Sequence, residues 1–321
     1  MRILVTGGAG YIGSVLSAFL LDNKFKVTIL DNLSTGYERL IDPRAKFVLG
    51  DILNKNNLMD AMEGCDAVVH LAGKAVVSES IERAEYYYLN NTQGTINVLD
   101  VMNERKIKKF IFSSTCAVYG TPPTNTINEK CETNPINPYG DSKLRADSLI
   151  SKYSKLHEHE SYSFRFFNVS GSYISSTGKI FGEIHEPETH LIPSIINSKI
   201  VTVYGSNFPT PDGTAIRDYV HVVDLANAIR KAILIKKPSG HYIYNLGAGI
   251  GHSVLEVIAT VEKVTGNSVK INFAHERIGD PARLVSNSAL SELELNWKAE
   301  LSLMDMISDS DSFLKSLRLT S

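Results

Sequence analysis

Tyr139 and Lys143 stand four residues apart in the run Asn137-Pro138-Tyr139-Gly140-Asp141-Ser142-Lys143. On a helix that spacing puts both side chains on one face. A free phenol has a pKa of about 10 and is a poor base at neutral pH. A neighbouring ammonium favours the phenolate and brings it toward working range. A second run, Ile111-Phe112-Ser113-Ser114-Thr115-Cys116-Ala117-Val118-Tyr119-Gly120, carries an apolar strand pattern into hydroxyls. Thr115 could hold a substrate hydroxyl beside that phenolate. Y-x-x-x-K by itself is common by chance and equally describes a solvated helix face. Joined to hydroxyls at a strand end, it describes oxidation of an alcohol by hydride transfer, and that chemistry needs a hydride acceptor.

The acceptor site is written at the start of the chain. Gly7-Gly8-Ala9-Gly10-Tyr11-Ile12-Gly13 satisfies both G-x-x-G-x-x-G and G-x-G-x-x-G. Glycines there let the backbone turn sharply and let a pyrophosphate approach a helix N-terminus, whose N–H groups and dipole favour an anion. Gly7, Gly10, Tyr11, Ile12 and Gly13 are the candidate contacts. Asp31 ends the next apolar run, 24 residues past Gly7. A carboxylate there accepts hydrogen bonds from the adenosine ribose hydroxyls and repels a 2′-phosphate, which selects NAD over NADP. A cationic nicotinamide ring would further favour the Tyr139 phenolate. Asp51-Ile52 could meet the adenine ring, or Asp51 could simply cap the following helix. Leu71-Ala72-Gly73 offers small residues for close approach, and His70 beside them reads as a satisfied core histidine.

These residues sit where alternating elements would place them. Candidate strands are Met1–Thr6, Lys26–Asp31, Lys46–Gly50, Ala67–Leu71, Lys109–Ser114 and Ser161–Phe167, with amphipathic stretches at 12–21, 54–63, 85–105 and 138–157. Such alternation predicts an α/β fold: a Rossmann-type doubly wound parallel sheet, covered on both faces, with ligands beyond the carboxyl ends of its strands. Asn137 reads as an N-cap with Pro138 in the first turn. From about 170 the pattern loosens into Gly-, Pro-, Ser- and Thr-rich loops. A short strand (Val201–Tyr204), helices at 222–236 and 252–265, and a final helix from Asp305 follow. This predicts an NAD-binding domain over 1–168 and a smaller α/β substrate domain over 169–321, with part of 216–246 packing back onto the first. There are no internal repeats.

The chain has 321 residues, 43% of them hydrophobic and 21% charged, with net charge −2. That composition fits an ordinary globular protein. It offers no basic field for nucleic acid and no signature of a membrane partner. The uncharged stretch 3–21 imitates a signal segment, but its central glycines mark strand, turn and helix, so it reads as folded core. Cys65, Cys116 and Cys131 form neither a disulfide framework nor a C-x-x-C pair. A cytoplasmic setting and no metal site are the expectation.

At the level of whole motifs the chain resembles the extended short-chain dehydrogenases/reductases, and among them the UDP-glucose 4-epimerases. The pieces are GGAGYIG, DNLSTG, GDI, SSTCAVYG, NPYGDSK, RFFNVSG, THLIP, YGSNFPTPDGTAIRDYVHVVDLA, NLGAGIGHSVLEV and RIGDPARLVSN, spread over nearly the whole length. The resemblance implies inversion at sugar C4 through transient oxidation, with Tyr139 as acid/base, Lys143 on the nicotinamide ribose and Thr115 bridging to O4. It implies further cofactor contacts at Asn32, Ser34, Leu71, Ala72, Gly73, Lys74, Asn91 and Phe167. Asn168, His190, Leu191, Thr202, Tyr204, Arg217, Arg277 and Asp280 would hold UDP and sugar, guanidinium forks suiting a diphosphate. Leu284 falls at the position that admits or blocks N-acetyl groups. His190 stands where relatives often carry Asn, and Val169 where they carry Pro. A homodimer through helices near 92–104 and 139–153 is implied as well.

Several activities share these motifs. A 4,6-dehydratase or a decarboxylase needs carboxylates just after the Thr, where this chain has Cys116-Ala117. Epimerases of UDP-pentose, UDP-glucuronate or N-acetylhexosamines remain open, since no residue reads C6 directly. A non-catalytic NAD-binding regulator would dispense with Tyr139 or Lys143, and both are present.

Overall fold

The computed structural model describes residues 1–277 and 280–319. Its main element is a seven-stranded sheet. The strands are β1 (Arg2–Thr6), β2 (Lys26–Asp31), β3 (Lys46–Leu49), β4 (Ala67–His70), β5 (Lys109–Thr115), β6 (Glu160–Phe166) and β7 (Gly240–Leu246). They lie in the order β7-β6-β5-β4-β1-β2-β3. Parallel registers run from Thr28↔Lys46 at one end to Thr115↔Phe166 at the other. The order reverses between β1 and β4, the topological switch point at which such sheets bind ligands. The expected strands form within a residue or so at each end; β7 is an addition.

The chain divides into two compact units. The first comprises 1–120, 132–166 and 226–244; the second comprises 121–131, 167–225 and 245–321. In the first unit, the apolar runs Ile3–Val5 of β1 and Ala67–Val69 of β4 are fully buried, as strands covered on both faces must be. Leu4, Val68, Phe110, Val98, Leu99 and Ile150 belong to one core cluster. Each such side chain contributes about 1.5–3 kcal/mol of burial free energy. The uncharged stretch near the N-terminus is strand β1 followed by helix α1 (Tyr11–Asp22). Helix α2 (Pro138–His157) starts as its sequence dictates: the Asn137 side chain accepts from the Gly140 N–H at 2.8 Å, with proline in the first turn. The expected helix over 85–105 is interrupted, since residues Tyr88–Gln93 take a π-helical turn before α-helix resumes at Gly94.

The second unit is organised around the strand Ile216–His221. It pairs antiparallel with Gly251–Ser253 and parallel with Arg283–Leu284 and Asn168–Ser170. A parallel pair, Ile200–Tyr204 with Lys270–Ala274, packs with helices Leu191–Asn197, Val254–Thr265 and Leu303–Leu319 on a core that includes Val201, Tyr219, Val257 and Ile307. Helix Val254–Thr265 has a full capping box, Ser253 with Glu256, and ends on Gly266 at φ 72°. The single tryptophan, Trp297, is fully buried, and its indole N–H donates to the Asp224 carbonyl at 2.8 Å. Among the described residues no helix is long and apolar enough to cross a membrane.

Candidate functional site

The glycine loop joins β1 to α1, and each glycine answers a different steric demand. Gly7 has φ +71°, and a Cβ there would lie 2.7 Å from the Ala72 nitrogen at the end of β4. A Cβ on Gly13 would lie 2.1 Å from the Gly7 carbonyl oxygen. Gly10 differs: an added Cβ would meet only the Gly7 oxygen, at 3.4 Å. Gly10 is also the N-cap of α1 and gives that helix no capping side chain, so Tyr11 and Ile12 open the first turn beneath an uncrowded residue. That is the form of a pyrophosphate cradle.

Asp31 ends β2 nearly buried. Its carboxylate accepts from the Ala9 N–H at 2.9 Å and the Leu33 N–H at 2.8 Å. Burial pushes its pKa up, while these backbone bonds and Lys74 act in the opposite direction. Asn32 donates to Asp51 at 2.8 Å, Asn32 accepts from the Ser34 N–H, and Lys74 Nζ donates to the Ser34 hydroxyl at 3.0 Å. Asp51, half-buried, also accepts from the Leu53 N–H at 2.8 Å, and Ile52 is buried beside it. The candidate adenosine residues therefore gather beyond the ends of β2 and β3.

Beyond β4, Leu71 and Ala72 are anchored on Thr6. A Cβ on Gly73 would lie 3.1 Å from Asn91 Oδ1 and 3.2 Å from Lys143 Nζ. Asn91, in the π-turn, spends its amide on the protein: it accepts from the Lys74 N–H at 2.8 Å and donates to the Lys74 carbonyl and the Ser142 hydroxyl, both at 3.0 Å. It braces the 73–74 loop against α2. His70 is fully buried between Thr6 and Thr95, and burial pushes its pKa down to about 3, so it is a neutral core residue.

The reacting residues converge at the end of β5. Tyr139 lies in the first turn of α2, and the Thr115 side chain acts on its phenol to lower the pKa. Lys143, buried one turn on, donates to the Ser113 carbonyl at 2.8 Å and lies over the Phe112 ring. Burial brings this ammonium down to about 8, with the Asp147 charge holding it up. Asp147 is itself fixed by Ser114 at 3.0 Å and Arg165 at 3.4 Å. With no cofactor present, burial pushes the phenol up to about 12, and the Thr115 side chain acts in the opposite direction.

In the second unit, Phe167 is buried and donates its N–H to the Leu246 carbonyl. Asn168 is exposed and pairs with Tyr219. Arg217, on the same strand as Tyr219, is in register with Leu284 and ion-pairs with Asp280. Thr202 and Tyr204 alternate with buried Val201 and Val203, so they share the open face of their strand. The Arg277 guanidinium lies 4.0 Å from the centroid of the Tyr204 ring. Leu191 opens its helix, and His190 precedes it with its ring on Glu183. Glu183, His185 and Glu188 stand around it; the signal that could have found them is the run E-x-H-x-x-E-x-H over 183–190.

The family model for the NAD dependent epimerase/dehydratase family matches residues 3–247. The chain is 38% identical to the UDP-glucose 4-epimerase of Corynebacterium glutamicum over 99% of its own length and 97% of that protein's. It is 41% identical to that of Lactobacillus helveticus over 93% and 92%. The structure superposes on the Brucella ovis UDP-glucose 4-epimerase in complex with NAD at a TM-score of 0.92, with 38% identity and 97% and 98% of the two chains covered. The Bifidobacterium longum enzyme, in complex with NAD+ and UDP, gives 0.91 at 35% identity, with 98% of each chain covered. With a family match over three-quarters of its length and full-length relatives this similar, the chain belongs to the NAD dependent epimerase/dehydratase family.

Proposed function

We propose that this chain is a UDP-glucose 4-epimerase, interconverting UDP-galactose and UDP-glucose in galactose metabolism with NAD as resident cofactor. The observation that carries the reading is Tyr139 one helical turn from a buried Lys143 held on the Ser113 carbonyl at the end of β5, in a unit that also carries Thr115, the glycine cradle and Asp31. The cradle fits a dinucleotide, being crowded at Gly7 and Gly13 and open at Gly10. Gly7, Gly10, Tyr11, Ile12 and Gly13 would hold its pyrophosphate. Asp31, Asn32, Ser34, Asp51 and Ile52 would hold the adenosine end, and Leu71–Lys74, Lys143 and Phe167 the nicotinamide end. Bound there, NAD would supply a reversible hydride acceptor for sugar C4.

The chain's residues do the rest. Tyr139 takes the proton from O4 and gives it back; Thr115 holds the phenol and bridges to O4. Lys143 keeps positive charge near the phenolate. Asn91 acts on the cofactor through Lys74 and Ser142, since its amide is already engaged by both. Arg217 and Arg277 face the diphosphate, with Asp280 setting the angle of Arg217 and Tyr204 that of Arg277. Asn168, His190, Leu191 and Thr202 complete the nucleotide contacts. Cys116-Ala117 give no carboxylate for dehydration.

The test is a panel of UDP-sugars incubated without added cofactor, with products identified by NMR. UDP-galactose is expected to give UDP-glucose fastest; no epimerised product from any sugar overturns the reading. Leu284, buried beside Arg217, sets tolerance of the N-acetyl group. Leu284→Gly should raise turnover of UDP-N-acetylgalactosamine relative to UDP-galactose severalfold, and Leu284→Tyr should lower it. Unchanged ratios remove Leu284 from that role.

We also propose a cytoplasmic homodimer formed through helices Gly94–Glu104 and Pro138–His157. These two helices are joined by Tyr153, whose hydroxyl donates to Asp100 at 2.6 Å, which would make them one rigid surface. Light scattering should read twice the chain mass; a particle of one chain mass contradicts the dimer.

A further inference from the structure

Four potential ligands crowd the segment between the short strand Ile180–Phe181 and helix Leu191–Asn197. Glu183, His185, Glu188 and His190 each offer one ligand atom, and all four atoms lie within 4.8 Å of one another. Glu183 is the centre. Its side chain is 4% exposed, and both imidazoles stand against one carboxylate oxygen, Oε1: His190 Nδ1 pairs with it, and His185 Nδ1 lies 3.0 Å away but has no hydrogen-bond partner among the described residues. Glu188 Oε1 stands 3.7 Å from the same His185 nitrogen and is held by the N–H groups of Thr189 and His190 at 2.9 and 2.8 Å. The two rings cross at 78° with centroids 4.9 Å apart, so they approach the carboxylate from different directions.

The second oxygen of Glu183 decides the matter. Glu183 Oε2 is buried and has no hydrogen-bond partner among the described residues. A buried carboxylate oxygen left unsatisfied costs several kcal/mol of lost hydration unless a donor or a cation meets it. Two imidazole nitrogens and two carboxylate oxygens make a borderline donor set, suited to zinc or a neighbouring first-row ion; calcium and magnesium prefer oxygen alone. In a tetrahedral zinc site with bonds of about 2.0–2.1 Å, ligand atoms stand about 3.4 Å apart. A set already within 4.8 Å closes on such an ion by side-chain rotation.

We propose that Glu183, His185, Glu188 and His190 bind one divalent transition-metal ion, of which zinc is the best fit. The ion would fasten the loop that delivers His190 and Leu191, and its role would be structural. This departs from the expectation of no metal, and it stands independently of the epimerase reading because its test reads binding.

Tag-free enzyme is dialysed against chelator and titrated with cobalt(II), whose visible bands report coordination, and with zinc, counted by elemental analysis. One ion per chain is expected, with the intense cobalt bands of a four-coordinate site and a rise in melting temperature that chelator reverses. Glu183→Gln and His185→Ala should each weaken binding about 100-fold. His185 is partly exposed and outside the cofactor and substrate residues, so His185→Ala serves as the ligand test should Glu183→Gln fail to fold. Absence of binding to the parent enzyme overturns the proposal. So does binding that a folded His185→Ala variant retains at full strength, which would mark an adventitious ion elsewhere.

Discussion

Replacing Tyr139 with phenylalanine should lower turnover about 10²–10⁴-fold, the usual worth of a positioned acid/base. The substitution removes one oxygen and keeps the ring, which meets Tyr87 edge-on at 6.4 Å between centroids. Packing at the start of α2 is therefore conserved, and NAD content and UDP affinity should stay near those of the parent. Calorimetry with UDP and the absorbance of released dinucleotide check those two quantities. Near-normal turnover would remove Tyr139 from the reaction. Because burial holds this phenol at about 12, its working pKa should fall when NAD+ is bound and rise again with NADH, as charge on the nicotinamide ring requires. The pH dependence of the ultraviolet difference spectrum at the single-tyrosine level, parent minus Tyr139→Phe, separates these two states.

The second large effect concerns the glycine loop, where two neighbouring alanines should behave in opposite ways. Gly13→Ala drives a methyl group to 2.1 Å from the Gly7 carbonyl oxygen and 2.8 Å from the Gly8 Cα. Both are backbone atoms that cannot rotate away. The loop and the start of α1 must shift, at a cost above the about 1–3 kcal/mol of ordinary overpacking. A melting temperature lower by many degrees and loss of dinucleotide are expected together. Gly10→Ala meets nothing closer than 3.4 Å, and its φ of −81° suits any residue. That variant should melt near the parent yet bind NAD at least tenfold more weakly, because the methyl group occupies the face kept for the pyrophosphate. Thermal denaturation and dinucleotide titration of both variants separate the roles. Equal behaviour of the two contradicts the assignment.

Local pattern carried much of this architecture. The strands at the switch point are buried on both faces, so their sequences are nearly continuous apolar runs, and both edges of each were legible. Asn137-Pro138 fixed the first turn of α2 because capping is a matter of a few adjacent atoms. What escaped depends on partners remote in sequence. The π-turn at Tyr88–Gln93 accompanies the engagement of Asn91 with Lys74 and Ser142, and hydrophobic period cannot reveal it. Strand β7 reads Gly-His-Tyr-Ile-Tyr-Asn-Leu, with neither clean alternation nor a wholly apolar run. Residues 121–131 join the second unit because Ile127 exchanges backbone hydrogen bonds with Val285 and Asn287, more than 150 positions away.

At the site the division is similar. Tyr139, Lys143, Thr115, the glycines and Asp31 lie at strand ends and helix starts, where spacing alone carries chemical meaning. Most residues of the second unit had meaning only through resemblance, since an isolated Arg217 or Arg277 is indistinguishable from a surface charge. The structure adds what that resemblance lacked: Asp280 on Arg217, Tyr204 beneath Arg277, and Asp147 and Arg165 supporting the buried Lys143. Glu183, His185, Glu188 and His190 lie within eight consecutive residues, and only the fold of that loop shows that their ligand atoms meet.

The central claim is that one hydrogen leaves sugar C4 and returns to the same carbon without reaching solvent, while Tyr139 handles only the O4 proton. The direct measurement is the fate of deuterium in UDP-galactose labelled at C4, incubated in ordinary water with enzyme as purified and read by NMR and mass spectrometry. Full retention of deuterium at C4 of the UDP-glucose product is the predicted result. Replacement of that deuterium by solvent hydrogen would mean that inversion proceeds by deprotonation at carbon, and would contradict the mechanism.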